Sequence, residues 1–161
     1  MKKHLIAFLA MAVAIGLLTM GWAEMKKGME FARDWTGYKH IGSLVITDRT
    51  STLFGIHHFY MNNKGLEAFK KGGAYPDGTV IVDALYEAIE GLGGILNEGK
   101  KLGYPVMKKA SKAADAKETG GWIFALFNAD GQLLEKDVKK ECFECHKAAK
   151  DSDCVFSRPL K

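Results

Sequence analysis

Cysteine is scarce and confined to one place: three residues in 161, all in "ECFECHKAAKDSDCVF", residues 141–156. An odd number cannot all close into disulfides within one chain. No second closely spaced pair completes the set of about four ligands that a structural zinc site needs. One-sided charge is missing too. The formal net charge is +4 and the lysines are scattered rather than striped, which excludes a nucleic-acid footprint. There is no internal repeat, low-complexity tract or linker. A chain that is 47% hydrophobic and 26% charged has the balance of one globular domain with a single core.

The one long apolar run is at the N-terminus, in "MKKHLIAFLAMAVAIGLLTMGWA". Two lysines, an apolar stretch over residues 5–20 and the small-residue end Gly21-Trp22-Ala23 describe a secretory signal peptide over residues 1–23, cleaved after Ala23. The rival reading is an uncleaved anchor, since the run is near the lower limit for spanning a bilayer. Both readings put the folded domain, residues 24–161, outside the cytoplasm, in the periplasm or an equivalent exported compartment.

Export sharpens the cysteine question. Cys142 and Cys145 bracket two residues, and His146 follows at once. A redox dithiol of the thioredoxin kind belongs early in an α/β unit, whereas this pair lies near the C-terminus. His40, His57 and His58 are distant and lack ligand spacing. The reading that uses every residue is C-x-x-C-H, the attachment site of one covalent heme c. Thioethers form at Cys142 and Cys145, and His146 becomes the axial iron ligand. The bland alternative is a chance pentad with a structural disulfide. Cys154, the odd one, is expected to be a buried free thiol filling a core position.

Periodicity gives a coarse element map. A helix is expected over residues 24–35, with Met25, Met29 and Ala32 on one face. Strands are expected over residues 41–47 and 52–61, and a short helix in "NKGLEAFKKG", with Asn63 a possible cap. "PDGT" reads as a turn and "TVIVDALYEAI" as a strand. The glycine-rich "EGLGGILNEGKKLGYP" reads as a long hairpin connection. "YPVMKKA" and "GGWIFALFN" are further strands, and "NADG" turns the chain before the helix carrying the heme cysteines.

Three stretches together resemble the cytochrome P-460 and cytochrome c-prime-beta family: "FGIHHFYMNNKGLEAFKKGGAYPDGTVIVDALYE", "TGGWIFALF" and "CFECHKAAKDSDCVFSR". The resemblance runs from about Phe54 to Arg158, in the family's order. It implies an α+β fold, mainly antiparallel β-sheet with a few flanking helices and a C-terminal heme-binding helix. It also implies a homodimer and a heme c whose sixth position is open. One branch of the family oxidises hydroxylamine and carries a lysine crosslinked to the heme edge after Asp-Gly-Thr-Val-x-Val. Here that position holds Asp83, which has no amine, and Lys70 and Lys71 precede the turn. The same branch places a distal carboxylate where Pro105 stands. Both departures favour the other branch, which resembles a gas-binding heme with an apolar distal pocket and nitric oxide or a similar nitrogen oxide as ligand. A hydroxylamine-oxidising enzyme and a simple electron carrier with a redox partner protein are the alternatives.

The expected distal wall is the strand "GIHHFYMN" with Thr79, Ile81 and Asp83, because alternate strand residues share a face. Phe54 and Phe59 are candidates for apolar cover, against ordinary sheet core. His57 and His58 should point to opposite faces. A sixth ligand from one of these histidines, or from Met61 or Met107, is the less favoured arrangement. Asp83 is read first as a half-exposed strand carboxylate facing water, and alternatively as a group at the heme edge. Arg158, in the family's Asp-x-Val-Phe-Ser-Arg run, is a candidate partner for a heme propionate, against a plain surface cation.

Overall fold

The computed structural model describes residues 29–134 and 138–159. The segment expected to be a signal peptide and the first five residues of the helix expected over residues 24–35 lie outside the described residues. All elements below belong to the compact unit Phe31–Lys161. Five strands form one antiparallel meander in the order β1-β2-β3-β4-β5: β1 Lys39–Ile46, β2 Gly55–Met61, β3 Val80–Glu90, β4 Leu96–Lys109 and β5 Trp122–Asn128. Helix α1, Asn63–Lys71, follows β2, and helix α2, Lys139–His146, follows β5. The fold is therefore α+β and mainly sheet, with a C-terminal helix carrying Cys142, Cys145 and His146.

Alternation assigns the two faces. His57, Phe59 and Met61 of β2 share a face with Ile81 and Asp83 of β3, Met107 of β4, and Trp122 and Phe124 of β5, as the strand registers require. Ile41, Met61, Ile81, Met107, Trp122 and Phe124 build the core there, together with Cys154 and Val155 from the C-terminal segment. Leu66 and Phe69 of α1 and Cys142 and Phe143 of α2 pack on the same cluster. Both helices thus lie on one face of the sheet. The opposite face is closed by the chain before β1. Trp35 meets Tyr60 and Tyr104 with centroids 5.0 and 5.4 Å apart, and Phe31 meets Tyr104 and Phe127 at 4.8 and 5.1 Å. Tilted and edge-on aromatic pairs of this kind are favourable ring contacts and hold this segment against the sheet.

Three expectations change. From Met29 on, the described residues contain no helix before β1 except a short 3-10 turn at Trp35–Gly37. The long connection after β3 is a short turn: Gly93 and Gly94 take positive φ, 70° and 79°, and β4 already begins at Leu96. Asn97, Glu98, Gly99 and Lys100 are poor strand formers by composition. They are strand because Ala88, Ile89 and Glu90 offer a ready partner in register, and pairing overrides propensity. Finally, the residue flanking α1 is Asn62, and its side chain does not cap the helix. Its amide nitrogen donates to the Gly78 carbonyl at 2.9 Å and its oxygen accepts from Val80 N–H at 3.2 Å, tying the start of β3 to the end of β2. Gly65 lets α1 sit this close, because a Cβ there would meet Met61 Sδ at 2.5 Å and Thr79 Cγ2 at 2.6 Å.

Candidate heme site

Helix α2 sets the spacing of the motif. Cys142 and Cys145 stand three residues apart, and His146 four residues after Cys142, so all three share one helix face. Cys142 is half-buried and Cys145 exposed. The His146 ring is wedged between Phe124 of the sheet and Phe156 of the C-terminal segment, with centroids 5.2 and 5.3 Å away.

One bond orients this ring. His146 Nδ1 lies 2.7 Å from the carbonyl oxygen of Cys154. A carbonyl only accepts, so Nδ1 carries the proton and Nε2 keeps its lone pair. A histidine that binds a metal commonly has its other nitrogen engaged in this way. Burial pushes the imidazole below its ordinary value, against the opposing pulls of the Cys154 carbonyl and the Asp83 charge. Burial thus favours the neutral imidazole, the form able to ligate a metal.

The carbonyl that does this work sits in an unusual turn. After the 3-10 stretch Lys147–Ser152, Asp153 and Cys154 both take positive φ, 51° and 65°. Two consecutive left-handed non-glycine residues cost energy unless the surroundings fix them. A buried polar cluster does so. Lys109, 7% exposed, places Nζ 2.6 Å from Asp153 Oδ1 and donates to the Gly120 carbonyl at 2.9 Å. Tyr75 N–H donates to Asp153 Oδ2 at 2.7 Å, and Trp122 Nε1–H donates to the Asp153 carbonyl at 2.9 Å. Asp153 ties the strand ends to the turn, and the turn aims the Cys154 carbonyl at His146. Local sequence pattern assigns Asp153, Lys109 and Trp122 no such role, because their contacts join segments far apart in the chain. The available signal was Asp153 opening the Asp-x-Val-Phe-Ser-Arg run. Cys154 itself is a buried free thiol, 5% exposed, and burial raises its pKa.

His57 and His58 do point to opposite faces. His58 is part-exposed and bridges Ser43 Oγ at 2.7 Å and Glu98 Oε1 at 2.6 Å. His57 is buried on the helix face, with Nδ1 2.7 Å from Asp83 Oδ2 and Nε2 2.8 Å from the Leu53 carbonyl. Asp83 is therefore not a half-exposed carboxylate facing water. It is 8% exposed, because its face of β3 lies under the helices and β2 supplies a partner for one of its oxygens. Burial pushes Asp83 up, opposed by His57 and by the charges of His58 and His146. Burial presses His57 down, but the hydrogen bond and charge of Asp83, with the Leu53 carbonyl, outweigh it and hold it above its ordinary value.

The folded chain keeps a proton on His57 that the unfolded chain releases above about pH 6.5. The contribution to stability is complete below that pH and is lost as pH rises through the raised value. With Asp83→Asn, the charge partner is gone and burial leads. NMR titration is expected to find His57 above its ordinary pKa in the parent and below it in the variant; equal values would contradict this account of the pair.

Phe59, half-buried, lies opposite Asp83 in the β2–β3 register and stacks on the His57 ring at 6.1 Å. Phe54 lies before β2 in the bend, with the Arg49 guanidinium 5.1 Å over its ring. Thr79 is fully buried and its hydroxyl donates to the Pro76 carbonyl at 2.8 Å, so it serves the turn. Val82 pairs with Val106 and Leu85 with Gly103, which brings Pro105 level with Asp83. Met61 and Met107 are core residues. Arg158 is exposed and folds back locally, donating to the Val155 carbonyl at 2.6 Å and to the Ser152 hydroxyl.

Among the described residues no three His, Cys, Asp or Glu side chains converge as a metal cluster, so the zinc reading has no further ligands. What α2 presents is two thiol positions beside a neutral histidine with Nε2 available. Comparison with protein families matches residues 33–157 to Cytochrome P460. The chain belongs to the Cytochrome P460 family. No curated protein matches it significantly. Membership makes this a heme protein, and the donor set fits that group. In this Cytochrome P460 member, Cys142, Cys145 and His146 are the residues that would hold the heme, and Phe124, Phe143 and Phe156 are apolar residues packed beside that helix face.

Proposed function

We propose that this is an exported c-type monoheme cytochrome that leaves the sixth iron position open and binds nitric oxide or a similar small nitrogen oxide. Cys142 and Cys145 form the two thioethers and His146 supplies the one axial ligand. The observation that carries the reading is the His146–Cys154 hydrogen bond, which fixes Nε2 as the donor atom. Other described histidines have ring nitrogens engaged elsewhere: His57 with Asp83 and Leu53, His58 with Ser43 and Glu98, and His40 with Ser43 at 3.0 Å. Met61 and Met107 are packed in the core, which supports an open position further. The heme, when bound, supplies an iron centre for a small diatomic ligand. The chain's own part is to present a neutral imidazole, hold its orientation and pack aromatic rings against it.

Hydroxylamine oxidation is a second reading, favoured by the buried His57–Asp83 pair, which can hold a proton beside the site. Against it, Asp83 occupies the position of the crosslinking lysine implied by the resemblance. Export, the homodimer, a redox partner and an Arg158–propionate contact belong to the same proposal. The test is anaerobic titration of the ferrous protein with nitric oxide, followed by incubation with hydroxylamine and an electron acceptor. One nitric oxide per heme and acceptor reduction no faster than a free-heme control are expected. Sustained hydroxylamine turnover would make the enzyme reading correct.

A further inference from the structure

Among the described residues, Asp83 Oδ1 is the one buried side-chain oxygen or nitrogen with no hydrogen-bond partner. Leaving a buried acceptor unsatisfied is costly, the more so when the group is charged, so such an atom calls for a reason. Its neighbours on the sheet supply no donor. Phe59 stands opposite on β2, and Pro105 on β4 has neither an N–H nor a polar side chain. The carboxylate is on the face that carries the axial histidine, close enough for the charges of Asp83 and His146 to act on each other.

The bonds of His57 decide what Oδ1 can do. Nε2 faces the Leu53 carbonyl, which only accepts, so Nε2 carries a proton. The short Nδ1–Oδ2 contact then holds one proton, on the nitrogen or on the oxygen. With the proton on nitrogen, Asp83 is a carboxylate; with it on Oδ2, Asp83 is an acid whose remaining oxygen is a carbonyl. In both forms Oδ1 is an acceptor and not a donor.

We infer that Asp83 Oδ1 is a built-in hydrogen-bond acceptor for a small protic ligand at the heme, one bearing an N–H or O–H group, and that it sets selectivity between such ligands and hydrogen-free diatomics. The inference rests on the open iron site proposed above and adds a selecting residue to it. A ligand without hydrogen gains nothing from Oδ1. A ligand with an N–H or O–H satisfies it, and His57 holds the carboxylate in place through Oδ2. Asp83 acts here as an acceptor; no net proton transfer is required.

The test measures equilibrium binding to the holo-protein with two probes: hydroxylamine on the ferric form, anaerobically, and carbon monoxide on the ferrous form. Three chains are compared: parent, Asp83→Asn, and Asp83→Leu (or Asp83→Val where the leucine variant does not retain heme). Asparagine can donate from its amide nitrogen to His57 Nδ1 and keep its oxygen as acceptor, whereas the aliphatic variants have none. In the aliphatic variant the hydroxylamine Kd is expected to rise roughly tenfold, as for loss of one charge-assisted hydrogen bond. Carbon monoxide affinity should change less than about twofold, because loss of one acceptor offers it nothing. Asp83→Asn should stay near the parent for both. Equal changes for the two probes, an unchanged hydroxylamine Kd in the aliphatic variant, or full loss in Asp83→Asn would each overturn the inference while leaving the open site intact. Failure of the parent to bind carbon monoxide would overturn the open site and the inference together.

Discussion

Replacing Cys142 and Cys145 by serine is expected to leave no heme on the denatured chain. Serine keeps the size and the helix but cannot form the thioether. Both cysteines stand on the same face of α2 as His146, with Cys145 exposed. Single variants should keep heme through the remaining bond, and the double variant should lose it under denaturing electrophoresis with heme staining. His146 would still be held by the Cys154 carbonyl, so the double variant retains a route to non-covalent binding. Heme that stays on the denatured double variant would place the covalent attachment elsewhere.

Asp153→Ala is the other large effect. It removes the partner of Lys109 Nζ, and side-chain exposures of 8% for Lys109 and 15% for Asp153 mean that water compensates little. Removing one member of a buried pair typically costs about 3–5 kcal/mol, because the remaining charge is left uncompensated. The same change frees the left-handed Asp153–Cys154 turn and so loosens the acceptor of His146 Nδ1. Chemical denaturation should show a loss of this size, with a weakened iron–histidine stretching band in the folded ferrous fraction. Asp153→Asn keeps an acceptor for Tyr75 N–H or Lys109 and should recover part of both. A stability change below about 1 kcal/mol, the range of a surface pair, would show that the cluster does not hold the turn.

Much of this site is local in sequence, and that part was legible. Cys142, Cys145 and His146 fall within five residues, and one helical turn brings them together. The strands rich in β-branched and aromatic residues were legible too, because alternation with one buried face leaves a pattern in a single segment. What could not be read is what pairing across the sheet creates. Asp83 looked like a solvent-facing carboxylate because its partner His57 lies 26 residues away on another strand. The Lys109–Asp153 pair spans 44 residues. The arm from Leu96 looked like loop because its strand character comes from β3 rather than from its own residues. In each case the deciding physics is burial or register, neither of which a short window contains.

The proposed open site requires His146 to be the one ligand that the chain gives the iron. Resonance Raman spectroscopy of the ferrous protein without added ligand tests this most directly. The predicted result is a five-coordinate, high-spin heme with an iron–histidine stretching band that shifts when the Cys154 turn is loosened by Asp153→Ala. A six-coordinate, low-spin heme in the unaltered ferrous protein would contradict it, since a second side chain, such as His57 or Met61, would then close the position on which the proposed ligand binding depends.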